Sequence, residues 1–318
     1  MTGVQDTHAA PRWTTRRWLA YAAVTLLLVA MAAYAARAQD ELASIRRLSA
    51  TVLVAATILQ FASQIFLNGS MLLPLQACVK ALGFWELYLV RLGGSFAGSL
   101  VPLAGGVGIR LAYLRGHGLT YLDFTWATIL SNMMGLAAAG VLAAGATAVL
   151  WALAGPPPAL VVAVSAGVLV VSVAALAALE FLPQLARYPA LARWPWLVEM
   201  RSVKAMPGLA SWVFVHSLLR HAFNFATFGL LYQALARGPG DFLTGGLVYA
   251  LTSPIRMVNI TPANLGVNEW FVAFVGRVLA FDLVTGLIVA LAFRGIGLVS
   301  QALGALVGSA WLALGSRA

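Results

Sequence analysis

Apolar runs long enough to cross a bilayer alternate with short polar stretches through nearly the whole chain. They fall at Trp18–Ala36, Leu48–Cys78, Thr125–Ala154, Ala159–Leu182, Gly208–Ala236 and Leu283–Leu314. About 20 apolar residues span the hydrocarbon core as a helix, so each run predicts a membrane span. Gly155-Pro156-Pro157-Pro158 is a strong stop after the third run. Trp194 and Trp196, in the polar stretch 183–207, suit an interfacial position. Residues 1–17 form a short basic tail, and 18–317 read as one transmembrane domain.

Two further apolar segments are interrupted. The first, 84–120, is broken by Arg91, Gly93, Gly94, Gly98 and Pro102 and continues into a stretch holding Arg110, Arg115 and His117. The second, 242–275, carries Pro254, Arg256, Asn259, Pro262, Asn264, Gly266 and Glu269. Proline removes a backbone donor and a charge is costly at depth, so neither segment can run straight through lipid. Broken backbone at that depth survives where protein buries it or where it lines a wet cavity. The two share a phrase. Pro102-Leu-Ala-Gly-Gly-Val107 and Pro262-Ala-Asn-Leu-Gly-Val267 both read P-x-x-x-G-V and lead to a charge, Arg110 or Glu269. We read each as a re-entrant hairpin, with turns built on Pro102, Gly105, Gly106 and Gly108 and on Pro262, Asn264 and Gly266. The expected fold is an all-α polytopic membrane protein with about six transmembrane helices and two re-entrant broken-helix hairpins. Lysine and arginine then concentrate on the side of the N-terminus, which places both termini in the cytoplasm. The hairpins enter from opposite faces, as an inverted repeat would arrange them, with a substrate site between their tips.

Composition agrees. Of 318 residues, 61% are hydrophobic and 9% charged, a balance that belongs to polytopic membrane proteins. The formal net charge of +10 is dispersed among apolar segments, which points to anionic lipid headgroups and away from nucleic acid. Arg12, Arg16 and Arg17 before an apolar run, with Ala36-Arg37-Ala38 after it, resemble a signal peptide. The run exceeds the usual signal core, so a retained first helix is expected. Cys78 is the single cysteine and has no metal-ligand companions.

Several polar residues at depth are candidates for a substrate site. Arg110 and Arg115 follow a glycine-rich turn at a helix start, where backbone donors and guanidinium groups suit a phosphate oxygen. Glu269 needs a base at depth, with Arg110, Arg256 and Arg294 as the choices. His216, Arg220, Asn224 and Thr227 recur at helical spacing and stripe one face of the Gly208–Ala236 helix, with His221 off that stripe. A polar stripe on a buried helix lines a cavity or makes interhelical hydrogen bonds. His216 and His221 lie five apart, wrong for a metal pair on one face, so no metal or other cofactor is expected. The glycines around Arg294 suit close helix packing.

Taken together, the two broken segments resemble the lysylphosphatidylglycerol synthase transmembrane-region family of flippase-like membrane proteins. The matching phrases are Pro102-Leu-Ala-Gly-Gly-Val-Gly-Ile-Arg110-Leu-Ala-Tyr-Leu-Arg115 and Thr261-Pro-Ala-Asn-Leu-Gly-Val-Asn-Glu269, with Arg294 in the last helix. The chain departs from the family's pattern at Ala263 and Asn264, at Asn268 in place of arginine, and at Ser131-Asn132, where an acid–arginine pair is common. The resemblance implies a lipid translocase of the bacterial cytoplasmic membrane, not an enzyme, whose cavity shelters a charged phospholipid or polyprenyl-phosphate headgroup. The alternatives are a non-transporting accessory subunit beside lipid-synthesis enzymes and a membrane-embedded lipid-phosphate transferase. The scattered acidic residues argue against the last, because such chemistry needs clustered carboxylates for Mg²⁺.

Overall fold

The computed structural model describes residues 48–78, 82–100, 105–185, 208–236, 241–257 and 266–315. These form nine α-helices: α1 Ala50–Cys78, α2 Phe84–Leu100, α3 Gly105–Gly116, α4 Tyr121–Ala154, α5 Ala159–Leu185, α6 Leu209–Ala236, α7 Asp241–Thr252, α8 Val267–Val278 and α9 Leu283–Gly315. A 3-10 turn, Ser253–Met257, follows α7. The chain is an all-α polytopic membrane protein. The expected first span, Trp18–Ala36, and the turn residues Pro102, Pro262 and Asn264 lie outside the described residues.

Local chemistry sets the helix ends. At the start of α4, Thr120 Oγ1 accepts from the Asp123 backbone N–H at 3.2 Å, and Asp123 Oδ2 accepts from the Thr120 N–H at 2.7 Å. This reciprocal capping box satisfies two donors that a helix start leaves open. It places the helix start four residues before the expected Thr125, because Thr120 and Asp123 read as loop by polarity alone. Gly155, at φ +88°, ends α4 with its N–H bonded to the Trp151 carbonyl. Only glycine adopts that backbone cheaply, and the three prolines that follow cannot extend the helix.

Among the described residues, helices within Ala50–Cys78, Tyr121–Ala154, Ala159–Ala178 and Leu283–Val307 are long and apolar enough to cross a membrane. Helix α6, at 28 residues, also has the length for a span, but its polar face lowers its hydropathy. The other helices are short. Helices α3, α7 and α8 have 12 residues each, so they rise about 18 Å against a hydrocarbon core of about 30 Å. Helices α2 and α3 pack as a pair, with Gly94 and Gly98 of α2 against Gly106 of α3.

Helix α6 is the hub, packing on α1, α4, α7 and α9. Its Phe228, Leu231 and Tyr232 are fully buried with Val248 and Tyr249 of α7, Val272 of α8 and Ile288 and Val289 of α9. Helix α9 packs on both α2 and α8 and so stands between the two interrupted segments. Outward faces are apolar: Val170, Val171, Val173 and Phe181 of α5 are all exposed. Lipid tails are as apolar as these side chains, so the cohesion of the bundle comes from tight packing and interhelical hydrogen bonds. Ser70 and Ser131 join α1 to α4 at 3.0 Å, and Thr147 and Ser165 join α4 to α5 at 2.7 Å.

Close packing of α8 on α9 depends on one missing side chain. A Cβ at Gly286 would sit 2.6 Å from Ala273 Cα, and backbone cannot yield as a flexible side chain can. Gly286→Ala is expected to destabilise the protein by about 1–3 kcal/mol through overpacking. Gly145→Ala in α4, which meets nothing within 4 Å, should instead be neutral or stabilising by up to about 1 kcal/mol through helix propensity. Thermal unfolding midpoints in detergent check both signs.

Candidate functional site: a polar cavity with two arginines

A cavity of about 370 Å³ lies within the bundle, walled by α1, α4, α6, α7, the 3-10 turn and α9. Its wall is polar, although the helices that form it are largely apolar. Helix α1 contributes Gln60, Ser63 and Gln64, and α4 contributes Asn132. Helix α6 adds Arg220, His221 and Asn224, while Tyr249, Ser253 and Arg256 come from the second interrupted segment and Phe293 from α9.

These groups are held in place by one another. Asn224 Nδ2 donates to Tyr249 Oη at 3.0 Å, and Tyr249 Oη is 2.9 Å from His221 Nδ1. With the Tyr249 proton directed to Nδ1, this network assigns the imidazole hydrogen to Nε2. His221 and Asn224 are buried, yet His221 Nε2, Asn224 Oδ1 and Gln60 Oε1 have no hydrogen-bond partner among the described residues. Buried polar atoms are rarely left so, and here three of them come from cavity-lining residues. The Arg256 guanidinium stands 4.7 Å from the ring centroid of Tyr249, 4.9 Å from that of Phe228 and 5.0 Å from that of Phe293. All three distances fall within cation–π range, so rings from α6, α7 and α9 converge on one charge.

Arg220 has no carboxylate partner among the described residues. It lies within electrostatic range of Arg256 on one side and of Arg91 on the other. Arg91 is buried on α2, where its Nη2 donates to the Gln64 carbonyl at 2.8 Å. Arg110 is in turn within range of Arg91, with its Nε donating to the Gly106 carbonyl at 2.9 Å. A line of positive charge therefore runs from α3 through α2 and α6 to the 3-10 turn.

The expected site residues separate into two groups. Arg220, Asn224 and Arg256 line the cavity. Glu269 lies outside it, paired with Arg294 at 2.6 Å between Oε1 and Nε, a charge contact outside hydrogen-bond geometry. The other carboxylate oxygen of Glu269 accepts from the Gly266 N–H at 2.8 Å. Gly266, at φ +79°, thus starts α8 in a conformation that favours glycine, and Glu269 ties that start to α9. Arg110 also stays outside the cavity wall, and Arg115 is exposed in the last turn of α3. His216 turns toward α1, its ring 5.9 Å from that of Phe66 and its Nδ1 2.9 Å from the Trp212 carbonyl. Of the turn glycines, Gly106 is packed against α2, whereas Gly108 meets nothing.

His221, expected off the functional stripe, lines the cavity. The buried face of α6 runs through Ser217, His221, Asn224 and Phe228. At about 100° per residue, that face is centred well away from His216 and shares Asn224 and Thr227 with the expected stripe. The contribution of α1 was missed altogether. Gln60, Ser63, Gln64 and Asn68 are all buried, at spacings of three and four, the same periodicity that marked α6. That signal was present inside an apolar run and could have been found by the same count.

The Glu269–Arg294 contact joins α8 to α9 with the carboxylate only 1% exposed. Glu269→Gln is expected to cost about 3–5 kcal/mol, because it breaks a buried pair from one side. Replacing both, Glu269→Gln with Arg294→Met, should cost less than the single change. A double-mutant cycle on unfolding midpoints reads this coupling.

Comparison with curated proteins and with solved structures finds no match. The family model described as the Lysylphosphatidylglycerol synthase TM region matches residues 18–305. That match takes in every helix from α1 to α8 and most of α9, including the whole cavity wall. The chain therefore belongs to the lysylphosphatidylglycerol synthase transmembrane-region family, a membrane domain of lipid metabolism or transport.

Proposed function

We propose that the chain is a lipid translocase, in which an anionic or amphipathic headgroup crosses the membrane through the cavity while its tails remain in the bilayer. The observation that carries this reading is a polar cavity bearing Arg220 and Arg256 inside a bundle whose outer faces are apolar. Intramembrane ionisable residues that face a cavity mark substrate pathways in membrane proteins. The short helices support it further. Three helices too short to span, α3, α7 and α8, together with the 17-residue α2, fit two re-entrant hairpins that bring broken backbone to mid-depth, where transporters place their sites. The proposed setting is the bacterial cytoplasmic membrane with both termini inside. Movement would draw on a lipid gradient or a coupled ion.

The test is a headgroup-accessibility assay in proteoliposomes with labelled phospholipids and polyprenyl-phosphate lipids. Loss of one charge-assisted hydrogen bond is worth about 1.5–3 kcal/mol, so Arg220→Gln should slow exchange between leaflets about 10–100-fold. Arg277→Gln, exposed at the end of α8, should leave the rate unchanged. If wild type moves none of these lipids and copurifies with a lipid-synthesis enzyme, the accessory-subunit reading replaces this one.

A further inference from the structure

The wall of the cavity says more about its occupant than that it is charged. Two arginines face it, and no carboxylate does among the described residues. The acidic residues that are described stand elsewhere. Glu269 is engaged by Arg294 and the Gly266 N–H, and Asp123 caps α4. The stretches 101–104 and 258–265 contain no acidic residue in their sequence. An ammonium group entering the cavity would meet two guanidinium groups and no carboxylate in the described wall, Glu269 acting on Arg256 only from outside it.

The remaining polar groups have a consistent chemistry. Gln60, Gln64, Asn132 and Asn224 present carboxamides, each able to donate and accept. Ser63 and Ser253 add hydroxyls. Neutral groups of both senses match alcohols, which also donate and accept, whereas phosphate oxygens only accept and are met by arginine. The unpartnered Asn224 Oδ1 and Gln60 Oε1 are acceptors on side chains only 5% exposed, so the wall offers acceptors that a phosphate alone would not use. A volume of about 370 Å³ sits at the low end of small-molecule sites, which run from about 300 to 1,000 Å³. It suits one headgroup and no acyl chain.

We propose that this cavity recognises a phosphodiester of a polyol, such as a glycerol- or sugar-phosphate lipid headgroup, and discriminates against headgroups bearing an amine. Arg220 and Arg256 take the phosphate, and the carboxamides of α1, α4 and α6 take the hydroxyls. This rests on the cavity being the lipid site of the proposed translocase, but it concerns binding and is tested by binding.

The experiment measures affinity in detergent, by titrating the unfolding midpoint of the full chain with short-chain lipids. The probes are dihexanoyl phosphatidylglycerol, dihexanoyl phosphatidylethanolamine, the dihexanoyl aminoacyl ester of phosphatidylglycerol, and free glycerol 3-phosphate. Phosphatidylglycerol is expected to bind at least tenfold more tightly than either amine-bearing lipid. Two variants each put a carboxylate on the wall: Gln64→Glu, buried, and Asn132→Asp, exposed and tolerant of the change. In whichever folds, the preference should shrink at least severalfold as the amine gains a partner. Equal or tighter binding of the amine-bearing lipids by wild type overturns the proposal, and so does a preference that neither variant moves. If free glycerol 3-phosphate binds as tightly as the lipid, the lipid source of the headgroup is overturned. The translocase reading fails separately: binding with the expected preference, but no exchange between leaflets in proteoliposomes, sinks it and leaves the headgroup assignment standing. Exchange of amine-bearing and polyol lipids alike does the reverse.

Discussion

An arginine at membrane depth has to be answered from within the protein, because lipid offers it nothing. The arrangement of this bundle follows from how five arginines packed within it are answered. Arg294 is met by Glu269. Arg91 uses the Gln64 carbonyl and so fastens α2 to α1, and Arg110 uses the Gly106 carbonyl one turn back in its own helix. Arg256 is surrounded by three rings. Arg220 faces the cavity. Neutral acceptors and aromatic faces stabilise a guanidinium without cancelling its charge, so the interior keeps a net positive field where the cavity opens.

This division separates structure from chemistry. Of the charged residues in the second interrupted segment, Glu269 and Arg256 both read from sequence as groups that would meet a substrate. The geometry separates them. Glu269 holds the Gly266 N–H and Arg294 together, capping α8 and joining it to α9. Arg256 reaches the cavity from the 3-10 turn. A buried acid that closes a helix start and an ion pair at once has its charge answered within the protein.

Much of this was legible beforehand. The five long helices that are described begin and end near where apolar length and stop signals put them, since a helix in lipid is set by hydropathy more than by partners. Both interrupted segments were marked by proline, glycine and charge in places where a span could not hold them. The rotation of helices about their own axes was less legible. Of the four residues of the α6 stripe, Arg220 and Asn224 line the cavity and Thr227 is buried, whereas His216 turns toward α1 and the buried face extends instead through Ser217 and His221. The α1 stripe went unread because Gln60, Ser63, Gln64 and Asn68 are uncharged and sit in a run that already satisfied the test for a span. Carboxamides and hydroxyls depress hydropathy too little to interrupt such a run, yet they supply much of the cavity wall.

The ring cluster around Arg256 couples the cavity to helix packing. Phe228, Tyr249 and Phe293 belong to α6, α7 and α9, and each also packs in the central core or against it. Phe228 and Phe293 are 4.7 Å apart, and Phe228 and Tyr249 are 5.3 Å apart, so the rings touch one another as well as the charge. Tyr249 additionally bonds Asn224 and His221. A ligand that drew Arg256 toward a phosphate would remove the shared contact of three helices and leave the rings to repack. Conversely, a shift of α7 relative to α6 or α9 moves Arg256 and Tyr249 with it, because both sit at the end of that short helix. Occupancy of the cavity and the relative position of the second interrupted segment are therefore parts of one equilibrium, in the sense that each changes the free energy of the other. Three ring faces are part of what holds the Arg256 guanidinium. That hold is worth about 0.5–2 kcal/mol per ring, strong enough to position the group and weak enough to give way.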